Sequence, residues 1–413
     1  MKVGLQAALN DANVDVSQGS NQRQLAISIS AVAEAWEANL PLNVCLILDH
    51  SGSMKGEPLD TVKKAAARLI EQLSPGDRIS VVAFDHRAKV IVPNQAIDDP
   101  AKVIKQINSL KADGGTAIDE GIKLGVEELG KGKNNAVSQA FVLTDGENEH
   151  GDDKRALKLA QVAAEYGITL NTLGFGEHWN SAILEQMGDM GGGTMRYIER
   201  PEDAVREFSS VFQRIQAVGL TNAYLLLSLA PKVRLAELKP IAQVAPDTIE
   251  LPVQEENNQY VVRLGDLMKD VSRVVLANLY IGQLTEGTQA VAEVKVRYDD
   301  PTSHQTNLLL DPVPVNANFT RTYQAAGDPQ VQQHILALAK YRQTQLAEQK
   351  LQQGDRAGAA TMLQTAAKTA LQMGDKGGAT VLQTSATRLQ SGEDLSEADK
   401  KKTKIVSKTI LQG

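Results

Sequence analysis

The chain has 413 residues, 42% hydrophobic and 23% charged, the proportions of a globular protein long enough for two or three domains. A formal net charge of −7 leaves no broad basic face, which excludes nucleic acid as the main partner. No stretch reaches the roughly 18 consecutive apolar residues of a membrane span, and Met1 to Gln22 lack a signal-peptide core.

The one cysteine, Cys45, lies in an apolar run and reads as a buried structural thiol. No internal disulfide is available, so a cytoplasmic, reducing location is the simplest expectation. In chain order, residues 2–31 alternate apolar and polar positions (Val3, Leu5, Ala7, then Gln24 to Ser30) around a turn at Gln18-Gly19-Ser20-Asn21. Period two over a half-buried surface predicts two or three antiparallel strands, which need a partner elsewhere.

From Pro41 the pattern changes. Buried-type strands at about 42–48, 78–84, 138–143 and 169–174 alternate with helical segments at about 57–73, 100–110, 117–130, 153–166 and 181–188. Such alternation predicts an α/β domain: a doubly wound, mostly parallel sheet with helices on both faces. Ala88 to Pro93 adds an antiparallel edge strand, Thr194 to Ile198 a last strand and Glu202 to Gln216 a closing helix. After Gly219, strand-like segments recur near 222–229, 233–238, 259–264, 271–282, 289–299 and 305–311. The expected solution is an antiparallel β-sandwich made of 1–40 and 219–321, with the α/β domain of 41–218 inserted into it.

Residues 327–413 are expected to be helical, with breaks at Gly354-Asp355 and Gly374-Asp375 and a recurring Leu-Gln-Thr at 363–365 and 382–384. This resembles a small helix-hairpin array. Lys400, Lys401, Lys402, Lys404 and Lys408 make its end basic, read as a solvated helix face.

The chemistry gathers at strand ends. Asp49-His50-Ser51-Gly52-Ser53-Met54 follows the strand Leu42 to Leu48 and precedes a helix, setting a carboxylate and two hydroxyls at alternate positions of a tight turn. Asp49, Ser51 and Ser53 can converge there on one hard cation, and oxygen-only donors favour Mg²⁺, Mn²⁺ or Ca²⁺. Asp113-Gly114-Gly115-Thr116 brings a hydroxyl to a helix start, and Thr144-Asp145-Gly146 a second carboxylate to another strand end. Residues of these types also cap strands and helices, the plainer account of all five.

Asp-x-Ser-x-Ser, then Gly-Gly-Thr, then Leu-Thr-Asp-Gly resembles the von Willebrand factor A domain with its metal-ion-dependent adhesion site. Leu173-Gly174-Phe175-Gly176, Gly191-Gly192-Gly193 and Arg200-Pro201-Glu202 are similar to bacterial members, so the resemblance covers about residues 41–217. It implies Asp49, Ser51, Ser53, Thr116 and Asp145 as the coordinating set, with Mg²⁺ as the first choice of ion. Two carboxylates only just neutralise a divalent ion, so an open position on it favours a carboxylate from a protein partner.

The expected function is therefore metal-dependent protein–protein interaction, not catalysis. An Asp-nucleophile phosphatase would want a second Asp where Ser51 stands, and no Gly-x-x-x-x-Gly-Lys-Ser/Thr phosphate loop occurs. Hydrolytic metal chemistry would need a base beside the open position, and Glu147, Glu149 and His150 read as a solvated loop. His50, His86 and His150 form no zinc spacing motif and are expected on the rim, shaping partner selectivity. Glu147, Glu149, Asp152 and Asp153 are a weaker option for a second ion. Two alternatives stand beside this reading: an accessory subunit of an ATP-driven chelatase or AAA+ complex, and a structural scaffold with a vestigial site.

Overall fold

In a computed structural model of the chain, residues 2–32, 40–133, 136–145, 148–175, 181–198, 201–269 and 271–408 are described. Gly146, Glu147, Gly176 and Arg200, named above, lie outside them. The chain forms two compact units, one of residues 33–222 with 299–306, the other of 2–32, 223–298 and 307–413.

The first unit is built on a six-stranded sheet. Leu42–Asp49, Val137–Thr144 and Ile168–Phe175 are buried along their whole length, which explains the apolar runs Val44 to Leu48 and Ala140 to Leu143 and the absence of alternation. Counted along the chain, the strands lie across the sheet in the order three, two, one, four, five, six. All neighbours run parallel except the edge strand Ala88–Ala96, which pairs antiparallel with Arg78–Phe84. Strand order therefore reverses between Leu42–Asp49 and Val137–Thr144, where doubly wound sheets open a crevice beyond the carboxyl ends.

Helices cover both faces. On one, Glu57–Glu71 contacts Pro100–Asn108 and Pro201–Gln216; on the other, Ile118–Lys131 and Ser181–Met190 flank Asp153–Glu165. Glu57–Glu71 buries Leu59, Val62, Ala66, Leu69 and Ile70 at helical spacing. Ile118–Lys131 sits unusually close to the sheet because Gly121 and Gly125 face it; a Cβ there would come 2.7 Å from Phe84 and 2.4 Å from Ile47.

In the second unit, Ser20–Val32 pairs antiparallel with both Lys2–Leu9 and Arg273–Gly282 in a six-stranded sheet. Residues from before and after the α/β segment thus share one ladder. A seven-stranded sheet contains Val218–Leu229, Gln259–Met268, Gly287–Asp300 and Val313–Thr320. It is not wholly antiparallel as expected: Val313–Thr320 runs parallel to the short Asn13–Asp15. The strands Ile241–Ala245, Ile249–Glu250, Gln254–Glu256 and Val313–Thr320 are additions to the sequence-based set.

Helices Pro329–Gln352, Arg356–Gln372, Lys376–Gln390 and Glu397–Lys408 follow. The Gly-Asp pairs explain their breaks: Gly354 (φ +80°) and Gly374 (φ +81°) end one helix in the left-handed region. Asp355 and Asp375 then cap the next, accepting from the amides of Gly358 and Gly378 at 2.8 Å. Val331, Leu338 and Tyr341 pack on strand residues Ala26, Val244 and Leu276, so the helices and the sandwich strands share one compact unit. The basic end is not simply a solvated face, because Lys401 is 1% and Lys404 8% exposed.

Candidate metal site

Asp49 ends the first strand of the α/β sheet, level with Phe84 on the second, while Asp145 follows the fourth strand directly. The two carboxylates therefore flank the crevice where strand order reverses. Asp49 is fully buried, and its carboxylate accepts the Ser51 amide at 2.8 Å and the Thr144 hydroxyl. Burial, and secondarily the nearby Asp145, push its pKa up from 3.8 to about 6 against the lowering effect of those hydrogen bonds.

The hydroxyls of Ser51 and Ser53 are 3.0 Å apart, and that of Ser53 donates to Asp145 Oδ1 at 2.8 Å. Asp49, Ser51, Ser53 and Asp145 thus form one run of oxygen contacts. Thr116 arrives differently. Its loop is stitched on by backbone bonds, Gly52 N to Gly114 O at 2.9 Å and Asp113 N to His50 O at 2.8 Å, while its hydroxyl bonds none of the other four among the described residues. Gly114 has φ +75°, and a Cβ there would lie 2.7 Å from His86 Nδ1, so this turn requires glycine.

The donor set fits a hard divalent cation. It is all oxygen, it joins two acidic side chains to hydroxyls, and Asp49 has only neutral donors as partners. A bound cation would lift the desolvation cost that raises Asp49.

The histidines fall into two kinds. His86 is exposed, with Nδ1 3.3 Å from Asp85, and His150 is exposed, its ring over Gly115 and its amide bonded to Thr116 O at 2.9 Å. His50, expected on the rim, is instead 3% exposed, because the Leu110 to Gly114 loop closes over it. Burial lowers its pKa, against the raising effect of the Lys111 carbonyl. Of the residues weighed for a second ion, Asp152 caps the helix Asp153–Glu165 and Asp153 accepts from Asn148 at 3.1 Å.

Sequence reasoning missed Thr144 and Asn148. Thr144 bonds the buried carboxylate of Asp49, and Asn148 Oδ1 accepts the Ile118 amide at 2.7 Å, capping the helix that follows Thr116. Thr144 stands next to Asp145 in the motif itself; for Asn148 no local signal exists.

A von Willebrand factor type A domain model matches residues 43–211, and a model described as Sll0103-like, C-terminal alpha-helical domain matches 329–413. The protein sll0103 of Synechocystis sp. is 58% identical over 412 residues, covering 100% of this chain and 98% of that relative. The chain belongs to the Sll0103-like family of von Willebrand factor type A proteins. YfbK of Escherichia coli is 23% identical over 71% of this chain and 54% of its own length. Two solved structures share the fold of this Sll0103-like chain. A von Willebrand factor type A protein from Catenulispora acidiphila has a TM-score of 0.82 at 17% identity, covering 99% of this chain and 97% of that one. The ArnB paralog VWA2 from Sulfolobus acidocaldarius has a TM-score of 0.61 at 18% identity, covering 98% of each. No helix among the described residues is long and apolar enough to cross a membrane.

Proposed function

We propose that this protein is a metal-dependent protein–protein interaction module. Asp49, Ser51, Ser53, Thr116 and Asp145 hold a divalent cation, Mg²⁺ first and Mn²⁺ or Ca²⁺ next, and present it to an Asp or Glu of a protein partner. The observation that carries the reading is the run of contacts from buried Asp49 through Ser51 and Ser53 to Asp145 at the crevice. Membership of the von Willebrand factor type A family supports a role in protein interaction.

The partner's carboxylate supplies the charge that two protein carboxylates and neutral hydroxyls leave uncompensated. We assign no catalytic step: a hydrolytic site needs a base beside the open position, while His50 Nδ1 faces Lys111 O and His86 faces Asp85. Cys45 is buried with its thiol pushed up to about 12 by burial, an unreactive thiol that suits the cytoplasm.

Calorimetric titration of Mg²⁺ into the chelator-stripped chain tests the reading. The wild type should bind and Ser51→Ala and Asp145→Ala should not, with an acidic partner captured only when Mg²⁺ is present. Binding unchanged in both variants would overturn it. A co-purifying ATPase whose turnover the chain stimulates would favour the accessory-subunit alternative.

A further inference from the structure

We infer that His50 is a positioning residue of the cation site, tethering the loop that carries Thr116 to the loop that carries Asp49, Ser51 and Ser53. The inference rests on the cation-site reading and adds a residue that supplies no cation donor.

The geometry starts from the alternation of the Asp49 turn. Ser51 and Ser53 join the run of oxygen contacts with Asp49, so the intervening His50 and Gly52 are left to meet the rest of the fold. They meet one loop. His50 O accepts from Asp113 N at 2.8 Å, Gly52 N donates to Gly114 O at 2.9 Å, and His50 Nδ1 lies 3.0 Å from Lys111 O. On its other side, His50 N donates to Phe84 O at 2.9 Å, continuing the ladder with the second strand. A single residue therefore grips both ends of the Lys111–Asp113 turn and ties it to the sheet.

Two of the three bonds to the loop are backbone bonds, which any residue would make. The third belongs to the side chain. A carbonyl only accepts, so Nδ1 donates to Lys111 O. Nε2 is buried and has no hydrogen-bond partner, and Asp85 Oδ2 lies 3.8 Å from it. The ring thus carries a buried polar atom without a hydrogen-bond partner, an arrangement that costs stability. The Nδ1 bond is what the side chain contributes in return.

Thr116 is the one member of the set whose hydroxyl bonds none of the other four among the described residues, so its approach to the cation depends on how its loop is held. Removing a group that orients a metal ligand costs about 10–100-fold in affinity.

The test uses the full chain, stripped with EDTA and titrated with Mg²⁺ or Mn²⁺. His50→Asn keeps a nitrogen donor at the Nδ1 position and deletes Nε2; His50→Phe keeps the ring and loses the donor; His50→Ala loses both. His50→Asn should bind within about twofold of wild type, whereas His50→Phe and His50→Ala should bind about 10-fold more weakly or worse. Amide hydrogen exchange at Asp113 and Gly114 should quicken in the last two and stay slow in His50→Asn, without cation as well as with it. Wild-type affinity in His50→Phe and His50→Ala would overturn the tether alone, as would equal loss in His50→Asn. A wild type that binds neither ion would overturn the cation site and the tether's role in it together.

Discussion

Asp49→Asn should abolish cation binding and yet relieve a strain in the cation-free fold. Asp49 is fully buried, and its carboxyl moves from an ordinary 3.8 to about 6 on folding, chiefly through burial. At about 1.4 kcal/mol per pH unit, holding it ionised in the folded chain costs about 3 kcal/mol. The sign follows from the direction. A folded pKa above the unfolded one means the unfolded chain loses its proton first as pH rises, so stability falls from about pH 4 to about pH 6 and stays low above. Asn titrates nowhere. It should weaken the bonds to the Ser51 amide and Thr144 hydroxyl by about 1 kcal/mol at every pH, an offset that leaves the slope untouched.

The assay is calorimetric melting of wild type and Asp49→Asn in EDTA from pH 4 to pH 7.5, following the transition of the α/β unit. Relative to the variant, wild type should lose about 3 kcal/mol across that range, or about 6–12 °C for a unit of this size. Saturating Mg²⁺ should abolish the loss for wild type and leave Asp49→Asn unmoved, because the cation takes the place of the proton. Parallel melting curves for the two proteins in EDTA over the whole range would refute both the raised pKa and the argument built on it.

Asp375→Ala removes both the cap on Gly378 N and the carboxylate 3.0 Å from the fully buried Lys340, and should cost about 3–5 kcal/mol. Lys340→Met should cost less, because the Asp375 carboxylate it leaves behind is the more exposed partner and keeps its bond from Gly378 N, and equal losses in circular-dichroism melts would contradict this. Gly125→Ala places a Cβ 2.4 Å from Ile47 and should cost about 1–3 kcal/mol in urea unfolding; an unchanged midpoint would show that the helix can shift. In the second unit, burial pulls the Asp11 carboxyl upward, but the Tyr323 hydroxyl at 2.6 Å, the amides of Asn13 and Ala326 and the Arg23 charge outweigh it and hold it below 3.8. That stability is present above pH 3.8 and is lost as pH falls through the folded pKa. Tyr323→Phe should therefore cost about 1 kcal/mol at pH 7 and less near pH 3, and an equal cost at both would refute the link.

The α/β unit was legible because its information is local. Eight consecutive buried residues at Leu42–Asp49, then a turn, then apolar positions at helical spacing are written into one short stretch. The Asp, Ser and Ser of the turn are equally local, and the alternation that aims them together needs no distant residue. The small strands were not legible for the opposite reason. Val313–Thr320 buries only Val315, Ala317 and Phe319, and the outward Pro314, Asn316 and Asn318 are turn-type residues with poor strand propensity, so the segment becomes a strand by pairing with Gly287–Asp300.

His50 makes the same point at the site itself. Read within its own turn, a polar residue just past a strand end belongs on the surface, and the sequence offers nothing nearby to cover it. What buries it is a loop some sixty positions later, through Lys111 O and Asp113 N. Lys401 and Lys404 follow the same logic, because the burial of a lysine-rich helix depends on what packs against it, here Lys376–Gln390 and Pro329–Gln352. Residue chemistry along the chain therefore names the oxygen donors, whereas the parts that hold those donors in place are set by closure between distant segments. Substitutions such as His50→Phe and Ser51→Ala divide along that line: the second removes a donor, the first only the means of aiming one.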